Sequence, residues 1–189
     1  MQRLLGEVEK ENRRFSEQFV EVEQQNTNLA NLYVASYRLH ATLDRTEVLE
    51  GIQEIVANLI GCEELAILEV TEDGRSLSLL ASYGIDPAAF RSVPLGAGIV
   101  GHTALTGETY LAQGTDERVP QEADLSACLP LKLGGRVTGV LALFRLLPQK
   151  RGFEAVDYEL FDLLATHAAT ALYCTGLHAR LAAETLGQR

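Results

Sequence analysis

Between about Leu4 and Asp44 the apolar residues recur every three or four positions, with no proline and no glycine beyond Gly6. On a heptad grid the a positions are Leu5, Asn12, Phe19, Asn26, Tyr33 and His40. The d positions are Val8, Phe15, Val22, Leu29, Ser36 and Leu43. A pattern held this long predicts a coiled-coil helix rather than an ordinary surface helix. The seam it defines is Leu5, Val8, Asn12, Phe15, Phe19, Val22, Asn26, Leu29 and Tyr33. An asparagine at an a position is costly unless it meets its counterpart across a two-fold, where the amides bond each other. Asn12 and Asn26, two heptads apart, therefore predict a parallel homodimer. The plainer alternative is a solvated helix packed on its own domain. Glu9, Glu11, Gln18 and Glu23 flank the seam with few opposite charges, so partner choice rests on the seam itself.

A second helix is expected after Asp44, which stands at an N-cap with Glu47 three residues on, the spacing of a capping box. Val48, Leu49, Ile52, Ile55, Val56, Leu59 and Ile60 form its apolar face, and Gly61 ends it. The period then drops to that of strands. Residues 64–70 and 76–84 make a hairpin around Asp73-Gly74, and 127–133 and 137–144 make a second across Gly134-Gly135. From Phe153 to about Leu186 the chain reads as one long helix, with Val156, Leu160, Leu163, Leu164, His167, Ala168, Ala171 and Leu172 on one stripe. Helices at both ends of an antiparallel sheet predict an α+β domain. The division expected is a dimerisation helix over 1–43, a domain over 44–178 and a helical tail over 179–189.

Composition narrows the function. The chain has 189 residues, a formal charge of −10 and an isoelectric point near 4.9. Phosphate neutralisation needs clustered Lys and Arg, and no basic run exceeds Arg13-Arg14 or Lys150-Arg151, so no nucleic-acid or anionic-membrane surface is expected. Nothing approaches the roughly 18 apolar residues of a membrane span. Cys62, Cys128 and Cys174 are odd in number and far apart, which fits neither a disulfide framework nor a zinc site. They read as free thiols of a cytoplasmic protein, with no metal and no cofactor expected.

Three motifs carry a family resemblance. Gly98-Ile99-Val100-Gly101-His102-Thr103-Ala104-Leu105-Thr106-Gly107 resembles the glycine-rich helix start of the GAF family. Pro130-Leu131 before Gly134-Gly135, then Val137-Thr138-Gly139-Val140-Leu141, resembles its hairpin. Phe153 to Asp157 leading into Leu163 to Ala169 resembles its closing helix. The resemblance covers about residues 36–178 and implies a GAF-like antiparallel sheet flanked by helices, preceded here by the coiled-coil helix. The fold hosts many unrelated ligands, so it implies no particular activity. Gly96, Gly98 and Gly101 permit tight turns, and turn geometry alone accounts for them; the alternative is an unobstructed helix N-terminus that can receive an anion.

The resemblance places a ligand cavity over the segment from Tyr83 to Ser126. Its polar residues are His102, Thr103, Thr106, Tyr110, Asp116, Glu117, Arg118 and Asp124, with Tyr83 and Phe90 as candidate walls. Of these, His102, Thr103, Tyr110 and Arg118 are the candidate ligand-binding residues. Arg118 is the one Lys or Arg between Arg91 and Lys132, hence the natural partner of an acidic ligand. The competing reading makes Asp116 to Asp124 a surface loop and His102 a packed or capping residue. The family's cyclic-nucleotide signature Asn-Lys-Phe-Asp-Glu has no ordered counterpart. Cys128 lies too late for bilin attachment, too few cysteines line the pocket for sulfoxide reduction, and a haem would rest on His102 alone. Without a paired nucleophile and base, no catalytic residue is assigned. With no kinase, phosphodiesterase, cyclase or DNA-binding segment read after Leu186, the output is expected from a partner or from a segment beyond this sequence. The expectation is a non-catalytic dimeric adaptor that recruits an unidentified signalling protein. A sensor whose small-molecule ligand shifts the dimer helices is the alternative.

Overall fold

The structure, a computed structural model, describes residues 2–112 and 119–187, with side chains from residue 10 to residue 182 of these. Leu5 and Val8 of the seam therefore fall outside the described side chains, and Asp116, Glu117 and Arg118 fall outside the described residues. The chain divides into two compact units, Met1–Val34 and Ala35–Arg189.

Helix α1 runs over Gln2–His40. In the first unit its heptad stripe is solvent-facing: Phe15, Phe19, Val22, Leu29 and Tyr33 are all exposed. In the second unit Ala35 and Leu39 of its last turns are fully buried.

Helix α2 (Arg45–Ile55) begins where Asp44 Oδ1 accepts the Thr46 and Glu47 N–H groups at 2.7 and 3.4 Å. The expected capping box is only half made. Asp44's own N–H goes to the Thr42 hydroxyl at 3.0 Å rather than to Glu47. A π-helical turn, Val56–Ile60, extends α2 to Gly61, whose φ of 75° closes it in the left-handed region.

Six strands follow: β1 Leu65–Val70, β2 Ser76–Tyr83, β3 Ser92–Pro94, β4 Tyr110–Leu111, β5 Ala127–Leu133 and β6 Arg136–Leu143. They form one sheet in the order β3-β2-β1-β6-β5-β4, with every neighbouring pair antiparallel. Both expected hairpins form, β1–β2 around Asp73-Gly74 and β5–β6 around Gly134-Gly135. At the second turn both glycines have positive φ, 57° and 82°, as a two-residue turn of the I′ type needs. Where β6 crosses β1, Gly139 pairs with Glu69, and a Cβ at Gly139 would lie 2.3 Å from the Leu68 carbonyl oxygen. Only glycine permits that approach.

Alternation sends the two halves of each strand to different cores. On one face Ala66, Leu68, Leu77, Cys128, Val140 and Ala142 meet Val100 and Ala104 of helix α3, Gly98–Thr106. The alternate residues Leu65, Ile67, Leu129, Leu131, Leu141 and Leu143 are equally buried and belong to the opposite face. There the terminal helix packs along β5, with α2 against it. That helix is not uniform as the stripe predicts: α4 (Ala155–Leu163) and α5 (Ala169–Gly187) are joined by a π turn, Leu164–Ala168. Each fully buried Leu or Ile contributes about 1.5–3 kcal/mol relative to exposure, so the two faces dominate the domain's stability.

Candidate functional site

Beside β4, on the α3 face of the sheet, lies a cleft of about 420 Å³. Gly98, Ile99, His102 and Thr103 of α3 form one wall. Glu108, Thr109, Tyr110 and Val119 complete the lining. Three of the four candidate ligand residues thus meet in one cavity, and the fourth, Arg118, is outside the described residues.

Their environments differ. His102 is exposed, and its carbonyl accepts the Thr106 hydroxyl at 3.0 Å. Thr103 is 2% exposed and its hydroxyl hydrogen-bonds the Cys128 thiol beneath the cleft. Burial nevertheless dominates that thiol and pushes its pKa up to about 12, with the nearby Glu122 charge adding to the rise. Thr106 and Asp124 leave the expected cluster. The Thr106 hydroxyl is used in the turn that ends α3, accepting the Glu108 N–H at 3.2 Å, and Asp124 reaches Arg145 at 3.6 Å.

The largest correction concerns the anion site. The start of α3 is not open: Glu122 caps it. Its carboxylate accepts the Ile99 N–H at 2.7 Å and the Val100 N–H at 2.9 Å, and the residue is 3% exposed. Two charge-assisted bonds at the positive end of a helix satisfy donors that an external anion would otherwise take. Gly98 makes room for this, because a Cβ there would meet the Glu122 carboxylate at 2.7 Å. Gly101 serves packing in the same corner: a Cβ would lie 2.3 Å from the Pro94 carbonyl oxygen.

Within the segment read as a surface loop, residues 119–121, 123 and 124 are exposed and Glu122 alone of the described residues is buried. Pro120–Glu122 form a short 3₁₀ turn and Leu125 is fully buried. The two candidate aromatic walls are elsewhere. Phe90 is 4% exposed in the core against Phe144, ring centroids 5.2 Å apart, and Tyr83 is exposed at the end of β2. No local pattern marks Glu122 as a cap, because its partners lie more than twenty positions back.

In chemical terms the cleft offers an imidazole, hydroxyls and a carboxylate over a protonated thiol. Among the described residues no three His, Cys, Asp or Glu side chains gather to hold a metal, and no helix is long and apolar enough to cross a membrane.

No curated protein matches the chain. Solved structures of similar fold include the GAF domain of an Acinetobacter phosphoenolpyruvate-protein phosphotransferase. It is 21% identical with a TM-score of 0.64 over 82% of this chain and 96% of that one. The GAF domain of the Coxiella burnetii phosphotransferase gives 17% identity and a TM-score of 0.63, covering 83% and 96%. The free methionine-R-sulfoxide reductase of Neisseria meningitidis, solved with its substrate, gives 18% and 0.61, covering 78% and 89%. At these identities the likeness speaks for the fold. The GAF domain family model matches residues 44–174, more than half of the chain, and the protein belongs to that family.

Proposed function

We propose that this chain is a non-catalytic, dimeric signalling module that pairs through α1 and recruits a protein partner. The observation that carries the reading is the bare apolar stripe: Phe19 is 65% and Tyr33 72% exposed, with Phe15, Val22 and Leu29 between and beside them. A run of large apolar side chains at heptad spacing calls for a cover. A second copy supplies one in which Asn12 and Asn26 face their own counterparts, so the two-fold satisfies amides that an apolar partner would strand. Family membership supports a signalling role. Two paired domains then present one protein partner with a bivalent surface. The non-catalytic part is supported by the two buried thiols. Burial raises the pKa of both Cys62 and Cys128, so neither supplies a thiolate near neutral pH. Three free cysteines suit a reducing, cytoplasmic setting.

Sedimentation equilibrium at micromolar concentration tests the pairing. The full chain runs as a dimer, and Phe19→Asp with Val22→Asp runs as a monomer. A monomeric parent, or a dimer indifferent to these substitutions, overturns the reading.

A second reading is favoured by the cleft: a small-molecule sensor, its volume within the ~300–1,000 Å³ of ligand sites. A thermal-shift screen of amino acids, nucleotides and organic acids separates the two. A hit abolished by Tyr110→Ala supports sensing, and the absence of any hit leaves the adaptor.

A further inference from the structure

Two imidazoles meet where the last turn of α1 lies against the π turn of the terminal helix. His40 Nε2 is 2.9 Å from His167 Nδ1, with ring centroids 5.2 Å apart and planes at 71°. They are 127 positions apart in the chain. Both stand beside buried neighbours. Leu39 beside His40, and Leu164 and Ala168 around His167, are fully buried, while the rings themselves reach solvent. Arg38, the other basic residue in the last turn of α1, is paired to Glu54.

A direct bond between the rings needs one neutral nitrogen to accept what the other donates. When neither of these nitrogens carries a proton, both hold a lone pair and one cation can bridge them. Nitrogens that bind one first-row cation at about 2.0–2.1 Å and at right angles to each other lie about 2.9 Å apart. Cation bonds at right angles mark tetragonal copper(II) or nickel(II) rather than tetrahedral zinc, and imidazole suits both ions.

We propose that His40 and His167 form a two-imidazole site for a divalent transition cation of the copper or nickel type, which ties the last turn of α1 to the terminal helix. No third His, Cys, Asp or Glu joins them among the described residues, so water completes the coordination. The site is accordingly weaker than one with four protein ligands. It also departs from the metal-free expectation of the sequence, in which nothing links positions so far apart.

The test uses the untagged full chain, stripped with chelator and titrated with Cu²⁺ and with Ni²⁺ by calorimetry, alongside electron paramagnetic resonance of the copper form. The expected results are saturable binding, a raised melting temperature, and hyperfine coupling to two imidazole nitrogens. His40→Gln and His167→Gln each weaken binding at least tenfold, and His178→Gln, on the exposed face of α5, leaves it unchanged. Equal binding by a His40→Gln/His167→Gln double variant overturns the proposal. So does absence of binding to the folded parent. Should a variant fail to fold, the resonance spectrum of the parent decides, since fewer than two coupled imidazole nitrogens also overturns it.

Discussion

Glu122 holds the start of α3 through Val100: its Oε1 accepts the Val100 N–H at 2.9 Å, a buried bond spanning 22 positions. With the Ile99 bond at 2.7 Å, a single carboxylate both caps the helix and anchors the segment that brings Val119 to the cleft. The domain has built its own anion into the place where a ligand's anion was expected.

Removing that carboxylate leaves two N–H groups without their acceptor. Glu122→Ala is expected to lose about 1–3 kcal/mol of stability, the usual cost of stranding buried partners of a charged group. Glu122→Gln keeps one acceptor oxygen and loses less. Urea unfolding of both variants checks this, and an alanine variant within ~0.5 kcal/mol of the parent refutes the capping role.

The thiols give a pH prediction. Burial pushes the folded-state pKa of Cys128 above the ordinary thiol range, up to about 12. A group raised in the folded state contributes fully below the unfolded value and loses that contribution as pH climbs toward the folded one. Stability should therefore fall above pH ~9, by up to about 1.4 kcal/mol per pH unit from Cys128. Cys128→Ala should show a shallower fall over pH 9–11. At pH 8 a thiol reagent should label only the exposed Cys174 rapidly, and all three cysteines in denaturant. Rapid native labelling of Cys128 contradicts the burial.

Two glycines should answer oppositely to alanine. At Gly139 the new methyl collides with the Leu68 backbone oxygen, so the sheet must shift, at a cost of about 1–3 kcal/mol or more. At Gly51, inside α2, nothing lies within 4 Å of the new Cβ, and alanine should stabilise by about 0.5–1 kcal/mol through helix propensity. Parallel urea titrations check the signs, and a neutral Gly139→Ala contradicts the close β1–β6 approach.

Most of the fold is legible in the chain itself. Element types and breaks follow from local physics: period 3.6 against period 2, the Asp44 cap, the Gly61 stop and the Gly134-Gly135 turn each act within a few residues. The bare stripe of α1 is likewise a property of spacing alone. His102, Thr103 and Tyr110 could be gathered by family resemblance because they lie within nine positions of one another. Tertiary structure decided the rest. Phe90 went to the core rather than to the cleft, because both faces of the sheet must be covered and an apolar ring is more stable away from water. Glu122 found Ile99 and Val100, and His40 found His167, only because the folded sheet and helices closed long stretches of chain. Such pairings depend on loop closure and on geometry shared by several elements, and no local periodicity encodes them.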